Sequence, residues 1–263
     1  MISSGSGVAP AGGGLPIWAS RDAKWTLVVP FKGGPNGKSR LQGNLGTDRL
    51  GPGLRREIAL GFLRDTVTAA AAAANVAHII VVSSDPATVM DAGKIQMLPD
   101  PGQGLNGAVK AGFAFARSLG VTPVAAITAD LPCLEVRDLE YALEGAKHHS
   151  LGIVPDLDGT GSTMISALPG APVNPCFGPH SRAGHQHAGH RLLPIPRSST
   201  LRADVDTLED LASAIERGVG AHTRAALLAS GLFPARPVPL GGEHRQIRLL
   251  ANPSVQRKSC PAF

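Results

Sequence analysis

The chain has 263 residues, of which 43% are hydrophobic and only 4% aromatic. This length suits one sizeable α/β domain, with a core built mainly from Ala, Val, Leu and Ile. The net charge of +5 favours anionic partners, but the basic residues are dispersed along the chain. This argues against a nucleic-acid-binding protein and is compatible with a phosphorylated small substrate.

Both ends of the chain have a composition typical of disordered segments. Residues 1–24 are rich in Gly, Ser and Pro, and residues 233–263 mix Pro, Gly and Arg without periodicity. We therefore expect a disordered N-terminal arm, one domain over residues 25–232 and a disordered C-terminal tail. The sequence shows no signal-peptide pattern, no apolar run long enough to span a membrane and no C-x-x-C spacing, which predicts a cytoplasmic protein.

Between the two arms, apolar runs of strand length alternate with segments of helical periodicity. The predicted strands cover residues 26–30, 78–82, 94–98, 124–128, 152–155 and 163–167. Predicted helices lie around residues 54–67, 105–119, 139–146, 208–217 and 223–229. This alternation predicts an α/β fold, a mostly parallel sheet with helices on both faces. Because such sheets bind ligands at the carboxyl ends of their strands, the loops after residues 30, 82 and 128 should line one crevice.

A glycine-rich loop follows the first predicted strand and carries the basic residues Lys32, Lys38 and Arg40. Glycines let backbone N–H groups approach an anion, and the cations neutralise phosphate. Gly37-Lys38-Ser39 resembles the end of a Walker A motif, but Lys32 stands where that motif needs its first glycine, so the match fails. The loop is either a triphosphate site or a flexible surface loop with solvated lysines.

Three aspartates are candidate metal ligands. Asp130 ends a predicted buried strand, where a carboxylate is costly unless it is solvated, paired or bound to metal; the alternative is a cap of the turn through Leu131-Pro132. Asp204 and Asp206 would share one face of a strand, and carboxylates that close favour a nearby cation. The alternative for Asp206 is an N-cap of the helix predicted to follow it.

Three further segments carry polar groups suited to a ligand. Gly159-Thr160-Gly161-Ser162 alternates glycines with hydroxyls, which suits either an anion cradle or a hairpin turn. Asn106 could contact a base or cap a helix. The third segment contains four histidines: His180, His185, His187 and His190. Their spacing does not fit a usual zinc site, and we expect them on a polar loop or helix that faces phosphate or water.

The number and order of these motifs resemble the coenzyme F-420 guanylyltransferase family, from about Trp25 to Ala229. The acceptor in this family is 2-phospho-L-lactate or phosphoenolpyruvate. The matching segments are Pro30-Phe31-Lys32, Lys38-Ser39-Arg40-Leu41, Gly104-Leu105-Asn106, Asp130-Leu131-Pro132, Gly159-Thr160-Gly161, Phe177-Gly178 with Ser181 and His185, and Asp204-Val205-Asp206-Thr207 with Asp210-Leu211.

The resemblance implies a nucleotidyltransferase fold, GT-A-like and Rossmann-like, with GTP as donor and Mg²⁺ as cofactor. The expected Mg²⁺ ligands are Asp130, Asp204 and Asp206. The residues expected at the triphosphate are Lys32, Lys38 and Arg40. Asn106 is assigned to the nucleoside.

The resemblance also places the acceptor carboxylate or phosphate against Ser162, Gly178 and Ser181. The family commonly has threonine where this chain has Ser162, and serine keeps the hydroxyl although its rotamer is less fixed. The glycine-rich loop is longer than we expect for the family. The implied reaction is attack by a phosphate oxygen of the acceptor on the α-phosphorus of GTP, and an ionised phosphate needs no general base.

Phosphoenolpyruvate is favoured as the acceptor, because the Ala/Gly/Arg-rich composition and the Phe-Gly-Pro-x-Ser segment look most like that branch. The product would be enolpyruvyl-2-diphospho-5'-guanosine, with release of pyrophosphate. The alternatives are 2-phospho-L-lactate, 3-phosphoglycerate, another nucleotidyltransferase reaction, or a non-catalytic nucleotide-binding module. Neither a nucleic acid nor a membrane is expected as a partner. The sequence does not decide between a monomer and a homodimer.

Overall fold

The computed structural model describes residues 23–33, 51–88, 90, 93–120 and 122–232. Most of the expected N-terminal arm and the whole C-terminal tail lie outside the described residues. The same holds for the part of the glycine-rich loop that carries Lys38 and Arg40.

Strands and helices alternate along the described part of the chain. The strands are β1 (Trp25–Pro30), β2 (Val76–Val82), β3 (Ile95–Leu98), β4 (Val124–Ile127), β5 (Leu151–Pro155), β6 (Ser162–Ala167) and β7 (Arg191–Leu192). The α-helices are α1 (Pro52–Ala72), α2 (Gly104–Ser118), α3 (Val136–Ala146), α4 (Ser181–His187), α5 (Leu208–Arg217) and α6 (Ala221–Ala229). Among the described helices, none combines the length and apolarity needed to cross a bilayer.

The strands form one sheet in the order β3-β2-β1-β4-β6-β5-β7. Neighbours from β3 to β4 are parallel, whereas β6 is antiparallel to both β4 and β5, and β7 is parallel to β5. The predicted mostly parallel sheet is therefore confirmed. The antiparallel β6 could not be foreseen from the apolar runs, since burial on both faces gives a strand the same composition in either direction.

The central strands are apolar at successive positions because both faces of the sheet are covered. In β1, Leu27 and Val29 pack into a cluster with α1 and α3, while Val28 packs into a second cluster with α2. Helix α2 approaches the sheet so closely that a Cβ at Gly112 would overlap the Val28 side chain. The prediction of helices on both faces is confirmed.

Between residues 181 and 206 the secondary structure differs from the sequence prediction in two places. Residues 203–206, where the face-sharing argument for Asp204 and Asp206 assumed a strand, form no regular secondary structure. Helix α4 covers Ser181–His187, and the short β7 follows it. Both are too short and too polar to show a clear hydrophobic period.

Helix α1 packs tightly against α6 at Gly61, which gives a test of this contact. A Cβ at position 61 would lie 2.9 Å from the Thr223 Cα and 3.2 Å from the His222 carbonyl oxygen. Because backbone atoms cannot move aside, we expect Gly61→Ala to lower the free energy of unfolding by about 1–3 kcal/mol. Urea denaturation followed by circular dichroism measures this change.

The matched control is Gly145→Ala in α3, where nothing lies within 4 Å of the added Cβ. This variant should be stabilised by roughly 0.5–1 kcal/mol, since alanine loses less backbone entropy in a helix than glycine does. A Gly61→Ala protein as stable as the control would contradict the packing described here.

Candidate active site

Two adjoining cavities lie at the carboxyl ends of the parallel strands. The first has a volume of about 450 Å³, and the second of about 350 Å³. Both are lined by Phe31, Lys32 and Asp100, and the second extends to Asp130. The loops after residues 30, 82 and 128 contribute to the walls, as the sheet argument predicted.

An ion pair that the sequence analysis missed forms one wall of the first cavity. Arg56 donates from Nε to Asp85 Oδ2 at 3.0 Å and from Nη2 to Asp85 Oδ1 at 2.6 Å. The hydrogen bond from Arg56 is the main reason why the pKa of the Asp85 carboxyl lies below its ordinary value. Asp85 also accepts from the Ala87 backbone N–H. The hydrogen-bonding groups of both side chains are therefore already engaged within the wall.

The three predicted metal ligands converge around Asp130, which lines the second cavity. Asp130, Asp204 and Asp206 are half-buried, and one carboxylate oxygen from each lies within 4.8 Å of the other two. A backbone hydrogen bond of 3.0 Å from the Val205 N–H to the Asp130 carbonyl joins the two segments that carry them. Val205 itself is buried. A set of carboxylate oxygens of this kind can hold a divalent cation, because hard cations prefer oxygen ligands.

The alternative role of Asp206 as a helix cap is wrong. Helix α5 is capped by Thr207, whose Oγ1 accepts from the Asp210 N–H at 3.1 Å, while Asp210 Oδ2 accepts from the Thr207 N–H at 2.8 Å. This reciprocal arrangement is a capping box. The cap is displaced by one residue from the predicted position, which leaves the Asp206 side chain in the acidic cluster.

The segment Gly159-Thr160-Gly161 is the turn of the β5–β6 hairpin, as its structural alternative predicted. The Asp156 carboxylate accepts from the Thr160 N–H at 3.0 Å and from the Gly161 N–H at 2.7 Å. Arg182 Nη1 donates to the Gly159 carbonyl at 3.0 Å. The two amides expected to cradle an anion are thus already bonded to Asp156, and the anion cradle is wrong for these backbone groups.

Ser162 and Ser181, two of the predicted acceptor contacts, lie together in a buried network. Ser181 Oγ is 3.2 Å from Ser162 Oγ, which in turn is 3.0 Å from His185 Nδ1. The Cys176 backbone N–H donates to His185 Nε2 at 2.8 Å. His185 is completely buried, so the expectation that it faces phosphate or water is wrong. Burial first, and the neighbouring His190 second, lower the pKa of His185 to about 4.

Asn106 connects helix α2 to the segment that contains Gly178. Its Nδ2 donates to the Phe177 carbonyl at 3.0 Å, and its Oδ1 accepts from the Phe177 N–H at 2.8 Å. Both predicted alternatives, a base contact and a helix cap, missed this partner, and α2 has no side-chain cap. Gly178 has φ of +130°, a conformation that strongly favours glycine.

Comparison with known proteins identifies the family of the chain. The family described as "Guanylyl transferase CofC like" matches residues 25–232. The chain belongs to this family. A phosphoenolpyruvate guanylyltransferase from Streptomyces scabiei is 40% identical over 211 residues, covering 77% of this chain and 95% of the relative. A protein of the same name from Salinispora arenicola is 41% identical over 216 residues, covering 80% of this chain and 95% of the relative.

One solved structure supports the fold. It is described as a nucleotide-diphospho-sugar transferase from Desulfovibrio desulfuricans G20, and it matches with a TM-score of 0.56 and 17% identity. The match covers 79% of this chain and 95% of that chain. The chain is a nucleotidyltransferase of the CofC-like family, and the solved structure has a similar fold.

Some signals for the missed contacts were present in the sequence. Ser181 and His185 are four residues apart, so on a helix they share one face. An aspartate shortly before a glycine-containing turn, as at Asp156, is typical of side chains that bond nearby backbone N–H groups. The Asn106–Phe177 contact joins residues 71 positions apart, and no local pattern could have indicated it.

The low pKa of His185 predicts a specific pH dependence of stability. In the unfolded chain this histidine takes up a proton near pH 6.5, whereas in the folded chain it does so only near pH 4. Between these values the unfolded state binds more protons, so the free energy of unfolding should fall as the pH drops from 6.5 to 4. Above pH 6.5 this contribution is fully retained. Urea denaturation at a series of pH values measures the slope.

The reference protein for this measurement is His185→Gln, which lacks the titrating ring. His190, whose pKa is also lowered by burial, stays in both proteins. The slope between pH 6.5 and 4 should be shallower in the variant. Equal slopes would show that His185 is protonated in the folded state as readily as in the unfolded one.

Proposed function

We propose that this member of the CofC-like family transfers GMP from GTP to phosphoenolpyruvate, giving enolpyruvyl-2-diphospho-5'-guanosine and pyrophosphate, in coenzyme F-420 biosynthesis. The observation that carries the proposal is the convergence of Asp130, Asp204 and Asp206 within 4.8 Å at the edge of the cavity lined by Lys32. The names of the relatives supply the acceptor. 2-Phospho-L-lactate and 3-phosphoglycerate are the alternative acceptors.

Mg²⁺ is the proposed metal, and the three aspartates fit it. Oxygen atoms on opposite sides of one Mg²⁺ lie about 4 Å apart, close to the 4.8 Å limit within which these carboxylate oxygens lie. When bound there, the ion would neutralise negative charge on the phosphates of both substrates. The donor set contains no sulfur or nitrogen ligand, which agrees with a hard cation.

The residues of the chain itself supply the remaining charge and the pocket for the donor. Lys32 is exposed and lines both cavities, so its ammonium group can pair with the triphosphate. We also propose Lys38 and Arg40 for this role, as the glycine-rich loop suggests. The largely apolar second cavity, lined among others by Leu105 and Ala108, suits the face of a purine base. The side chain of Asn106 is engaged with the Phe177 backbone. We therefore propose that Asn106 serves the nucleoside by holding α2 in place, since Leu105 and Ala108 of this helix line the cavity.

The acceptor is proposed to lie beside Ser162, Ser181 and Gly178. The two hydroxyls are neutral donors, which suits a carboxylate or phosphate whose charge is balanced mainly by the metal. In the reaction, an acceptor phosphate oxygen forms a bond to the α-phosphorus of GTP, and the bond from that phosphorus to the bridging oxygen of pyrophosphate breaks. The nucleophile is already ionised, so the task of the protein is to align the two phosphates and neutralise their charge.

The assay that tests this function follows pyrophosphate release from GTP with each acceptor in turn. We expect phosphoenolpyruvate to be preferred over 2-phospho-L-lactate by about 10–200-fold in kcat/KM, because one change of shape at a single carbon is worth about 1–3 kcal/mol. GTP should be strongly preferred over ATP, and removal of the metal with EDTA should stop the reaction. Release of pyrophosphate from ATP at the same rate would place the chain in another branch of the nucleotidyltransferases.

The metal assignment is tested by Asp130→Asn, which removes one carboxylate charge with little change in size. We expect kcat to fall by about a hundredfold or more, because charge neutralisation by the metal contributes several kcal/mol. The control is Glu216→Gln, which removes an exposed carboxylate on α5 and should leave kcat unchanged. Near-normal turnover of an Asp130→Asn protein with unchanged melting temperature would show that this carboxylate does not hold the metal.

A further inference from the structure

We propose that His185 is a positioning residue of the acceptor site: fixed as the neutral Nδ1–H tautomer, it donates to Ser162 and so leaves one serine hydroxyl hydrogen for the anionic acceptor. The inference rests on the proposed function, since it assumes that the acceptor binds at Ser162 and Ser181. His185 itself lies behind these serines, because it is completely buried.

The tautomer follows from the partners of the two ring nitrogens. The Cys176 backbone N–H, 2.8 Å from Nε2, can only donate, so Nε2 must carry a lone pair. A neutral imidazole has one N–H group, which is therefore on Nδ1. Ser162 Oγ lies 3.0 Å from Nδ1 and accepts from this N–H group, with the Ser181 backbone carbonyl as a second acceptor; in either case Nδ1 takes no hydrogen from Ser162. Protonation of Nε2 would direct its hydrogen at the Cys176 N–H and is opposed by burial.

The direction of this bond decides how many hydrogens remain for a ligand. Ser162 and Ser181 together have two hydroxyl hydrogens, and the bond of 3.2 Å between them uses one. Because His185 donates, it takes neither of them, and one hydroxyl hydrogen is left over. An acceptor atom in the place of Nδ1 would consume that hydrogen. Carboxylates and phosphates at neutral pH only accept hydrogen bonds, so the leftover donor matches an anion.

The ring of His185 also fixes the position of the serines relative to the segment that carries Gly178. Its two bonds join Ser162 at the start of β6 to Cys176 in the segment before α4. The Phe177 ring packs against it edge to face, with ring centroids 4.9 Å apart. His190, on its other side, is 5.3 Å away and is held by the Gly152 carbonyl. The ring thus has partners in its plane and on its sides, and its orientation is determined.

Two substitutions separate the two hydrogen bonds of this ring. In His185→Asn, the amide nitrogen can take the place of Nδ1 and donate to Ser162, while the bond to Cys176 is lost. In His185→Gln, the amide oxygen can take the place of Nε2 and accept from Cys176, while the donor to Ser162 is lost. Each variant loses one buried hydrogen bond and part of the ring, so a merely structural role would affect both in the same way.

We expect His185→Gln to raise the KM for phosphoenolpyruvate by about tenfold or more. Ser162 then loses the donor that orients its hydroxyl group, and a hydrogen bond from that hydroxyl to a charged ligand is worth about this much when it is well aligned. The KM for GTP should change by less than about twofold. His185→Asn should keep the KM for phosphoenolpyruvate within about threefold of the wild-type value. Equal increases in the two variants, or an equal increase in the KM for GTP, would overturn the positioning role.

A measurement on the unaltered protein keeps the test decisive if a variant does not fold. In ¹⁵N nuclear magnetic resonance spectra of the full chain at pH 7, His185 should show a protonated Nδ1 and an unprotonated Nε2. Titration with phosphoenolpyruvate in the presence of Mg²⁺ and a GTP analogue that cannot be cleaved between the α- and β-phosphorus should shift the Nδ1 resonance, whereas the analogue and Mg²⁺ alone should not. A hydrogen on Nε2, or an Nδ1 resonance that ignores the acceptor, would overturn the inference.

The outcome for the proposed function is distinguishable from the outcome for His185. Wild-type protein that releases no pyrophosphate with phosphoenolpyruvate, 2-phospho-L-lactate or 3-phosphoglycerate overturns the proposed function, and the acceptor role of His185 with it. Wild-type protein that turns over, with His185→Gln indistinguishable from it, overturns the positioning role alone.

Discussion

The backbone hydrogen bond from the Val205 N–H to the Asp130 carbonyl holds the acidic cluster together at the end of β4. The segment around Val205 belongs to no strand, and this contact holds it beside the end of β4, where its carboxylates meet Asp130. Burial of the Val205 side chain holds the contact from one side. On the N-terminal side of Val205, Arg202 Nη2 donates to the Asp156 carbonyl, just after β5, at 2.8 Å. The segment therefore crosses the sheet edge from β5 to β4 and delivers an aspartate on each side of Val205.

The antiparallel direction of β6 brings the proposed acceptor site to the same edge. In a fully parallel sheet, the start of β6 would lie at the opposite edge from the end of β4. Here Ile127 pairs with Met164, and the Thr128 N–H donates to the Thr163 carbonyl at 2.9 Å. Ser162, one residue further, thus lies near the start of the loop that carries Asp130. The reversal of one strand places the contacts proposed for the two substrates next to one another.

The sequence predicted the sheet and its covered faces well, because long apolar runs such as β2 have few alternatives to a buried strand. It predicted the candidate ligands Asp130, Asp204 and Asp206 by residue type and position. It did not predict what fixes them, because the partners of Asn106 and Val205 are far away along the chain and a backbone carbonyl has no residue-specific signal. The sequence also did not predict the burial of His185, because its neighbours in the sequence are mostly polar and the residues that bury it come from other parts of the chain.

The two halves of the proposed site would bind anions in different ways. At the cavities, Lys32 and the acidic cluster are exposed or half-buried, so water and a metal can share the cost of holding charge. Around Ser162 the groups are buried, and a charged side chain there would lose its hydration. A neutral histidine with both nitrogens satisfied avoids that cost and still orients a hydroxyl group. Because the orientation comes from the Cys176 backbone N–H, which cannot change from donor to acceptor, the direction of the whole network is set by the fold.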